Sequence, residues 1–361
     1  MKISKRVRNG YALALAFALA LPCLVKVQTQ AAQAIDVDED CSLTVSVADS
    51  EYRDEFSDLS IPVSLYKVAD VDASGRYTMA DAFAELKGSF DKIGSGTTAE
   101  EWSELTKEAV GCLEGLDPEY PVYTAKVEKT AGGADAAEGV FTGLKPGMYL
   151  VAPEAVYDKD YAVQYQFTPY LTALPSSDYA LSGAGSDEWN YHTTIGLKAD
   201  SQELPGKLDI VKNLKNYNET LGQVTFVFQV DGYDENNNLV YSNVASTTHQ
   251  GAGSETVTVD GIPAGLNVVV TEVYRGASYK IEEGTSEVSE PVKIWSDIAV
   301  NGVDSDGTVI VAEELRKPGA VVTFSNEYDG GNRGGYGVTN HFKSDGADGW
   351  TWENPTEPAG Q

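Results

Sequence analysis

Three polar residues, each closing a row of hydrophobes, carry the chemistry this sequence offers. In "LDIVKNL", Leu208, Ile210 and Lys212 share a face; in "NVVVTE", Val268, Val270 and Glu272 do; in "AVVTFSNEY", Val322, Phe324 and Asn326 do. A lone buried ammonium is very expensive, and a lone buried amide or carboxylate is costly, so one explanation of three such rows is that their ends meet. A Lys desolvated in an apolar core is driven toward the neutral, nucleophilic amine, and a desolvated carboxylate toward the acid. A protonated carboxyl at Glu272 would polarise the Asn326 carbonyl and shuttle protons while Lys212 attacks and ammonia leaves. The product is an internal isopeptide bond that closes a long loop, as a disulfide would, without redox sensitivity. The other explanation is that all three are strand-end residues looking into solvent, since alternation does not say where burial stops.

The elements that would position these residues are strands. The chain has 361 residues, 42% of them hydrophobic and 22% charged, which is enough for one or two cores. Period-two segments dominate: "SLTVSV", "IPVSLYKV", "GMYLVA" and "FTPYLTAL" in a first region, then "KLDIVKNL", "QVTFVFQV", "SETVTVDGI", "NVVVTEVY", "PVKIWSD" and "AVVTFSNEY" in a second. Short strands at this spacing, with Gly, Pro and Asp between them, predict an all-β chain of tandem immunoglobulin-like β-sandwich domains. The exception is "TTAEEWSELTKEAVGCLEGL". There Trp102, Leu105, Ala109, Cys112 and Leu113 recur at helical spacing after a Thr-x-x-Glu start, which predicts one helix inserted in the first domain and packed on its sandwich.

The N-terminal Lys2, Lys5, Arg6 and Arg8 precede the apolar run "YALALAFALALPCLV" and the small-residue site Ala32-Gln33-Ala34, which reads as a secretory signal peptide over residues 1–34. Its removal takes away five basic and no acidic residues, so the net charge goes from −29 to −34. Such a chain repels nucleic acid and acidic membranes, and no later segment is apolar enough to span a bilayer. The remaining boundaries are a first domain at 35–200, a second at 201–330 after the linker "SQELPG", and a polar tail rich in Gly and Asp at 331–361, extended or with a weak hairpin around Trp350 and Trp352. Cys41 and Cys112 survive processing; sequence leaves open whether they pair or stay two separate buried thiols.

Two further constellations are weaker. "DVDASGRYTMAD" places Asp70, Asp72, Ser74, Thr78 and Asp81 at calcium-loop positions, but a strand precedes it where an EF-hand has a helix, and a polar hairpin turn explains the same residues. His192, His249 and His341 sit in no nucleophile elbow or metal-ligand spacing. No carboxylate pair or triad suited to a hydrolase can be assigned by spacing. No cofactor or metal is expected, and no enzymatic activity beyond the single self-directed reaction.

Over residues 205–330, "KLDIVKNL", "GIPAGLNVVVTEVY" and "AVVTFSNEY" in this order resemble the Cna protein B-type domains of Gram-positive surface proteins and pili. In that family a first-strand Lys and a last-strand Asn are crosslinked with a middle acid as catalyst. The resemblance puts those roles on Lys212, Asn326 and Glu272, with Lys207 and Lys215 as nearby rivals that parity disfavours. Residues 41–200 resemble the N-terminal domain of SpaA-type major pilins through "VSLYKVADVDASGRYTMADAFAEL", "FTGLKPGMYLVAPE", "QFTPYLTALP" and "EWNYHTTIGLK". The last stretch is similar to the pilin motif, in which a Trp is followed nine residues later by the Lys that sortase joins to the next subunit. Trp189 and Lys198 keep that spacing, although Gly196-Leu197 replaces the usual Tyr-Pro and Thr193 an aliphatic residue. An ordinary strand-end Lys is the competing explanation.

"SLTVSVAD" lacks a Lys and Glu154 is displaced by Pro153, so no crosslink is expected in the first domain. The resemblance also implies a Leu-Pro-x-Thr-Gly sorting signal, an apolar span and a basic tail; the internal "LPSSD" and "LPGK" do not substitute. Three explanations stay open: an incomplete gene product, a subunit that only accepts a bond through Lys198, or a secreted protein held non-covalently. The implied partners are other pilin subunits, sortase, and a host or surface ligand, at an extracellular cell-wall or pilus location. The competing class is a secreted carbohydrate- or ligand-binding β-sandwich module without covalent assembly.

Overall fold

The computed structural model describes residues 34–93, 97–130, 135–177, 188–331, 342–344 and 350–352. Apart from Ala34, the signal-peptide segment lies outside the described residues. The chain is all-β in architecture and divides into two compact units: one holds residues up to Val156 and Tyr165–Asp200, the other Tyr157–Gln164 and the chain from Ser201 onward. No helix among the described residues is long and apolar enough to cross a membrane.

Two larger sheets make up most of the described first unit. In one, β1 (Cys41–Ser46) lies between β5 (Glu138–Leu144), antiparallel, and β8 (His192–Gly196), parallel. In the other, β2 (Ile61–Val71) pairs β4 (Val122–Val127) over its first half, β3 (Tyr77–Met79) at its end, and β6 (Gly147–Pro153), which in turn pairs β7 (Tyr170–Leu174). Helix α1 (Ala99–Gly111) starts with a closed capping box: the Thr98 side chain accepts from the Glu101 N–H while the Glu101 carboxylate accepts from the Thr98 N–H. Its buried stripe of Trp102, Leu105 and Ala109 packs with Val68, Phe83, Met148, Leu150 and Leu171.

The second unit is a sandwich of two four-stranded sheets. One sheet has the order β12 (Gly253–Pro263), β9 (Pro205–Leu214), β16 (Ala320–Tyr328), β14 (Tyr279–Ile281). The other has the order β11 (Leu239–His249), β10 (Val224–Tyr233), β13 (Asn267–Tyr274), β15 (Val292–Lys293). The first and last long strands, β9 and β16, are adjacent and parallel, with Leu208 opposite Ala320, Lys212 opposite Phe324 and Leu214 opposite Asn326. Alternation buries Leu208, Ile210 and Leu214 of β9, Phe226, Phe228 and Val230 of β10, Val268 and Val270 of β13, and Val322 and Phe324 of β16. Gly206 marks a close approach: a Cβ there would collide with the Trp295 carbonyl, so β9 can enter the sheet at this point only without a side chain.

"PVKIWSD", read as a strand, contributes only Val292 and Lys293 to the ladder before the chain turns into a short helical turn at Asp297–Asn301. In the tail, Phe342–Ser344 and Trp350–Trp352 pair as a short antiparallel hairpin, with Ser344 opposite Trp350.

Candidate functional site

Lys212, Glu272 and Asn326 come together in the core of the second unit, at 0%, 2% and 1% exposure. Each arrives from a different strand. Lys212 is the third inward residue of β9 and is followed by another, Leu214, so the row does not end at Lys212 as its sequence pattern suggested. Asn326 is held on β16 by its backbone, with its carbonyl accepting from the Lys215 N–H at 2.9 Å. Glu272 reaches across from β13 in the opposite sheet. Alternation along β13 turns Val268, Val270 and Glu272 to the core and Val273 to solvent, and a register shift between the Phe228–Glu272 and Val227–Tyr274 pairs makes Val273 the extra residue of a bulge.

The contacts are direct. Lys212 Nζ donates to Asn326 Oδ1. Glu272 Oε1 lies 2.8 Å from the same Nζ, and Glu272 Oε2 accepts from Asn326 Nδ2 at 2.9 Å. The carboxylate therefore bridges the nitrogen that would attack and the nitrogen that would leave. This differs from the arrangement anticipated from sequence, in which the acid polarises the amide carbonyl; here the carbonyl oxygen faces the lysine and the carboxylate faces the amide NH2.

The surroundings are aromatic. The Lys212 ammonium sits 4.4 Å from the centroid of the Phe226 ring, and Phe228 and Phe324 pack at 5.2 Å on the same level as Lys212. Burial pushes the Lys212 ammonium down from its ordinary range, with Glu272 acting in the opposite direction. The rivals Lys207 and Lys215 are exposed. Lys207 pairs with Asp297 at 3.2 Å and Lys215 with Glu282 at 2.8 Å, both outside the core.

Sequence patterning did not indicate the groups around this cluster. Arg275 Nε lies 3.8 Å from Glu272 Oε2, and its Nη2 pairs with Glu287 at 2.6 Å. His249, 1% exposed, stacks edge-on to Phe226 at 5.4 Å, and burial pushes its imidazole down. An Arg three residues after Glu272 stands in "TEVYR", just past the end of β13, but strand parity gives no reason for its side chain to return to the carboxylate.

The other sequence candidates do not join this site. Trp189 starts a two-residue strand, Trp189–Asn190, that pairs Ser176–Ser177; Ile195 of β8 is buried; and Lys198 is exposed just beyond β8, its carbonyl accepting from the Thr168 N–H at 3.1 Å. Among the described residues no carboxylate lies within ion-pair distance of the Lys198 ammonium. In the first unit, the positions that continue the inward rows of β1 and β8 are the buried Val47 and Leu197, and Glu154 is exposed.

Asp70 lies opposite Thr78 across the β2–β3 pair, while Asp72 Oδ1 accepts from the Ser74 N–H at 2.9 Å, the Ser74 hydroxyl at 2.6 Å and the Arg76 N–H at 3.0 Å. Asp81 begins a separate 3-10 turn. The segment is a hairpin turn, and among the described residues no group of three or more His, Cys, Asp or Glu is placed to hold a metal ion.

Of the two alternatives left open for the cysteines, the structure has them unpaired. Cys41 and Cys112 are both free thiols: Cys41 begins β1, whereas Cys112 ends α1 against the Trp102 and Leu105 cluster. Burial pushes the Cys41 thiol up to about 11, which keeps it unreactive.

No protein-family model matches the sequence, and no curated protein matches it. Among solved structures the chain is similar to GBS52, the minor pilin of Streptococcus agalactiae, at 13% identity over 80% of this chain and 96% of that one, with a TM-score of 0.21. It is similar to the full-length major pilin SpaD of Corynebacterium diphtheriae at 13% identity over 83% and 100%, with a TM-score of 0.26. The SpaE basal pilin of Lactobacillus rhamnosus GG gives 12% identity over 80% and 100%, also with a TM-score of 0.26. These scores are too low to carry a functional inference, which rests instead on the side chains of the second unit.

Proposed function

We propose that the chain is an exported structural protein of the Gram-positive cell surface, a pilin or adhesin subunit, whose second unit joins Lys212 to Asn326 by a self-catalysed isopeptide bond. The observation that carries this reading is the buried contact of an amine, a carboxylate and a carboxamide among aromatic side chains. The reaction follows from those contacts. Glu272 takes a proton from Nζ, leaving an amine whose lone pair attacks Asn326 Cγ. As the Cγ–Nδ2 bond breaks, the carboxyl gives its proton to Nδ2 and then takes the second Nζ proton. At the moment the bond closes the site holds a neutral secondary amide, a carboxylic acid at Glu272 and one molecule of ammonia. Proximity supplies most of the rate, since the three groups are already held at contact distance by three strands.

The test is the intact mass of residues 35–361 made without any sortase. The expected result is a deficit of one ammonia, mapped to a joined Lys212–Asn326 peptide. A full, unmodified mass would overturn the crosslink and leave a secreted ligand-binding β-sandwich module as the better reading.

The exposed Lys198 at the end of the first unit is the amine we assign to intermolecular joining: once deprotonated, its Nζ can attack a sortase thioester, forming the amide as the enzyme's thiolate leaves. Lys198→Arg is expected to abolish linkage to other pilin subunits in a sortase reaction while leaving the internal mass deficit intact. Linkage that persists in this variant would remove Lys198 from that role.

A further inference from the structure

The crosslinking chemistry proposed above consumes a charge. Before it, the Lys212 ammonium balances the Glu272 carboxylate inside the core; after it, Nζ belongs to a neutral amide. A buried carboxylate left alone is strongly unfavourable, so Glu272 must either keep the proton or find another cation. Among the described residues, one other cation lies within ion-pair distance: Arg275, whose Nε is 3.8 Å from Oε2.

Arg275 is anchored for that position. Its Nη2 donates to Glu287 Oε2 at 2.6 Å, and the Glu287 carbonyl accepts from the Glu272 N–H at 2.8 Å. The surrounding segment straps the two sheets together. On β16 the Glu282 N–H donates to the Ser325 carbonyl at 2.9 Å, next to Asn326. On β13 the Ser289 N–H donates to the Val270 carbonyl at 2.9 Å and the Val270 N–H to the Ser289 hydroxyl at 2.9 Å. The guanidinium side chain is 31% exposed while the Glu272 side chain is 1% exposed, so Arg275 spans from solvent to the inner carboxylate. A guanidinium stays charged at any pH the protein meets and needs no proton from the reaction.

We infer that Arg275 takes over from Lys212 as the counter-ion of Glu272 once the isopeptide bond forms, so that the carboxyl ends as carboxylate and its proton leaves with ammonia as ammonium. The balance is then an ammonium and a carboxamide going to an amide and an ammonium ion, with the Glu272 charge unchanged. Arg275 touches neither Nζ nor the carboxamide and acts through Glu272 as a positioning residue. The charged and titratable groups that bear on this carboxyl are Lys212 from β9, Arg275 beyond the bulge and Glu287 from the strap. Behind the Phe226 ring stands His249, with Glu255 acting on it from β12.

The experiment compares crosslinked wild type, Arg275→Lys and Arg275→Gln, each labelled with 13C at the glutamate side-chain carboxyl, by infrared spectroscopy at neutral pH. Among the described glutamates only Glu272 is buried, so a labelled carboxylic-acid C=O band there reports on it. The expected result is no such band in wild type or in the Lys variant, and a band equivalent to one glutamate in the Gln variant. A band in crosslinked wild type, or its absence from crosslinked Arg275→Gln, would overturn this inference and leave the crosslink standing. A wild-type chain without the ammonia deficit would overturn both.

Discussion

Glu272→Ala is expected to leave the chain at its full mass and to make the second unit the first part of the molecule to unfold. The crosslink would close a loop between residues 114 positions apart, and by the entropy of closing a loop of that length its loss costs about 5 kcal/mol. Removing the carboxylate also strands the Lys212 ammonium at 0% exposure, which costs a further ~3–5 kcal/mol. Together these approach the whole stability of a typical domain. Hydrogen exchange followed by mass spectrometry on β9, β10, β13 and β16 reads the effect strand by strand. Protection in those strands equal to wild type would mean that the cluster contributes neither a bond nor a needed ion pair.

The second large effect separates the covalent bond from the ion pair. Lys212→Met alone forms no crosslink and leaves Glu272 with Arg275, 3.8 Å away, as its one neighbouring cation, so it is expected to be destabilised, though less than Glu272→Ala, which strands an ammonium with no carboxylate. The triple variant Lys212→Met, Glu272→Leu, Asn326→Leu also forms no crosslink but buries only apolar groups. It is expected to be more stable than either single variant by roughly 1–4 kcal/mol in denaturant unfolding. The first unit fills the corresponding places with Val47 and Leu197, so an apolar row is compatible with such a sheet. A triple variant no more stable than Lys212→Met would sink the view that the polar cluster is retained for its reaction and not for packing.

Much of this site was legible because a strand's period of two fixes which face each residue joins. Lys212, Glu272 and Asn326 each fall in phase with hydrophobes, and that parity alone separated Lys212 from Lys207 and Lys215. Parity could not say that the three rows face one another, because that depends on which strands pair. The parallel neighbours β9 and β16 are separated by almost the whole second unit in sequence. Arg275, Glu287 and the strap stayed hidden for a different reason: they lie past the end of β13 and act through loop hydrogen bonds, which have no period. The calcium-loop pattern failed in the opposite way, since Asp and Ser at those spacings suit a turn that satisfies its own backbone.

The parallel pairing of β9 with β16 has a mechanical consequence. A pull on the two ends of the second unit enters at Pro205 and leaves at Tyr328, at opposite ends of two strands that lie side by side, so their ladder is loaded in shear. With Lys212 tied to Asn326, tension passes from β9 straight into the last residues of β16. The intervening segment 213–325, which would pay out roughly 380 Å at about 3.4 Å per residue, never bears the load. So crosslinked, the unit would transmit force as a nearly inextensible link, and its sandwich could unfold and refold thermally without lengthening the path from Pro205 to Tyr328.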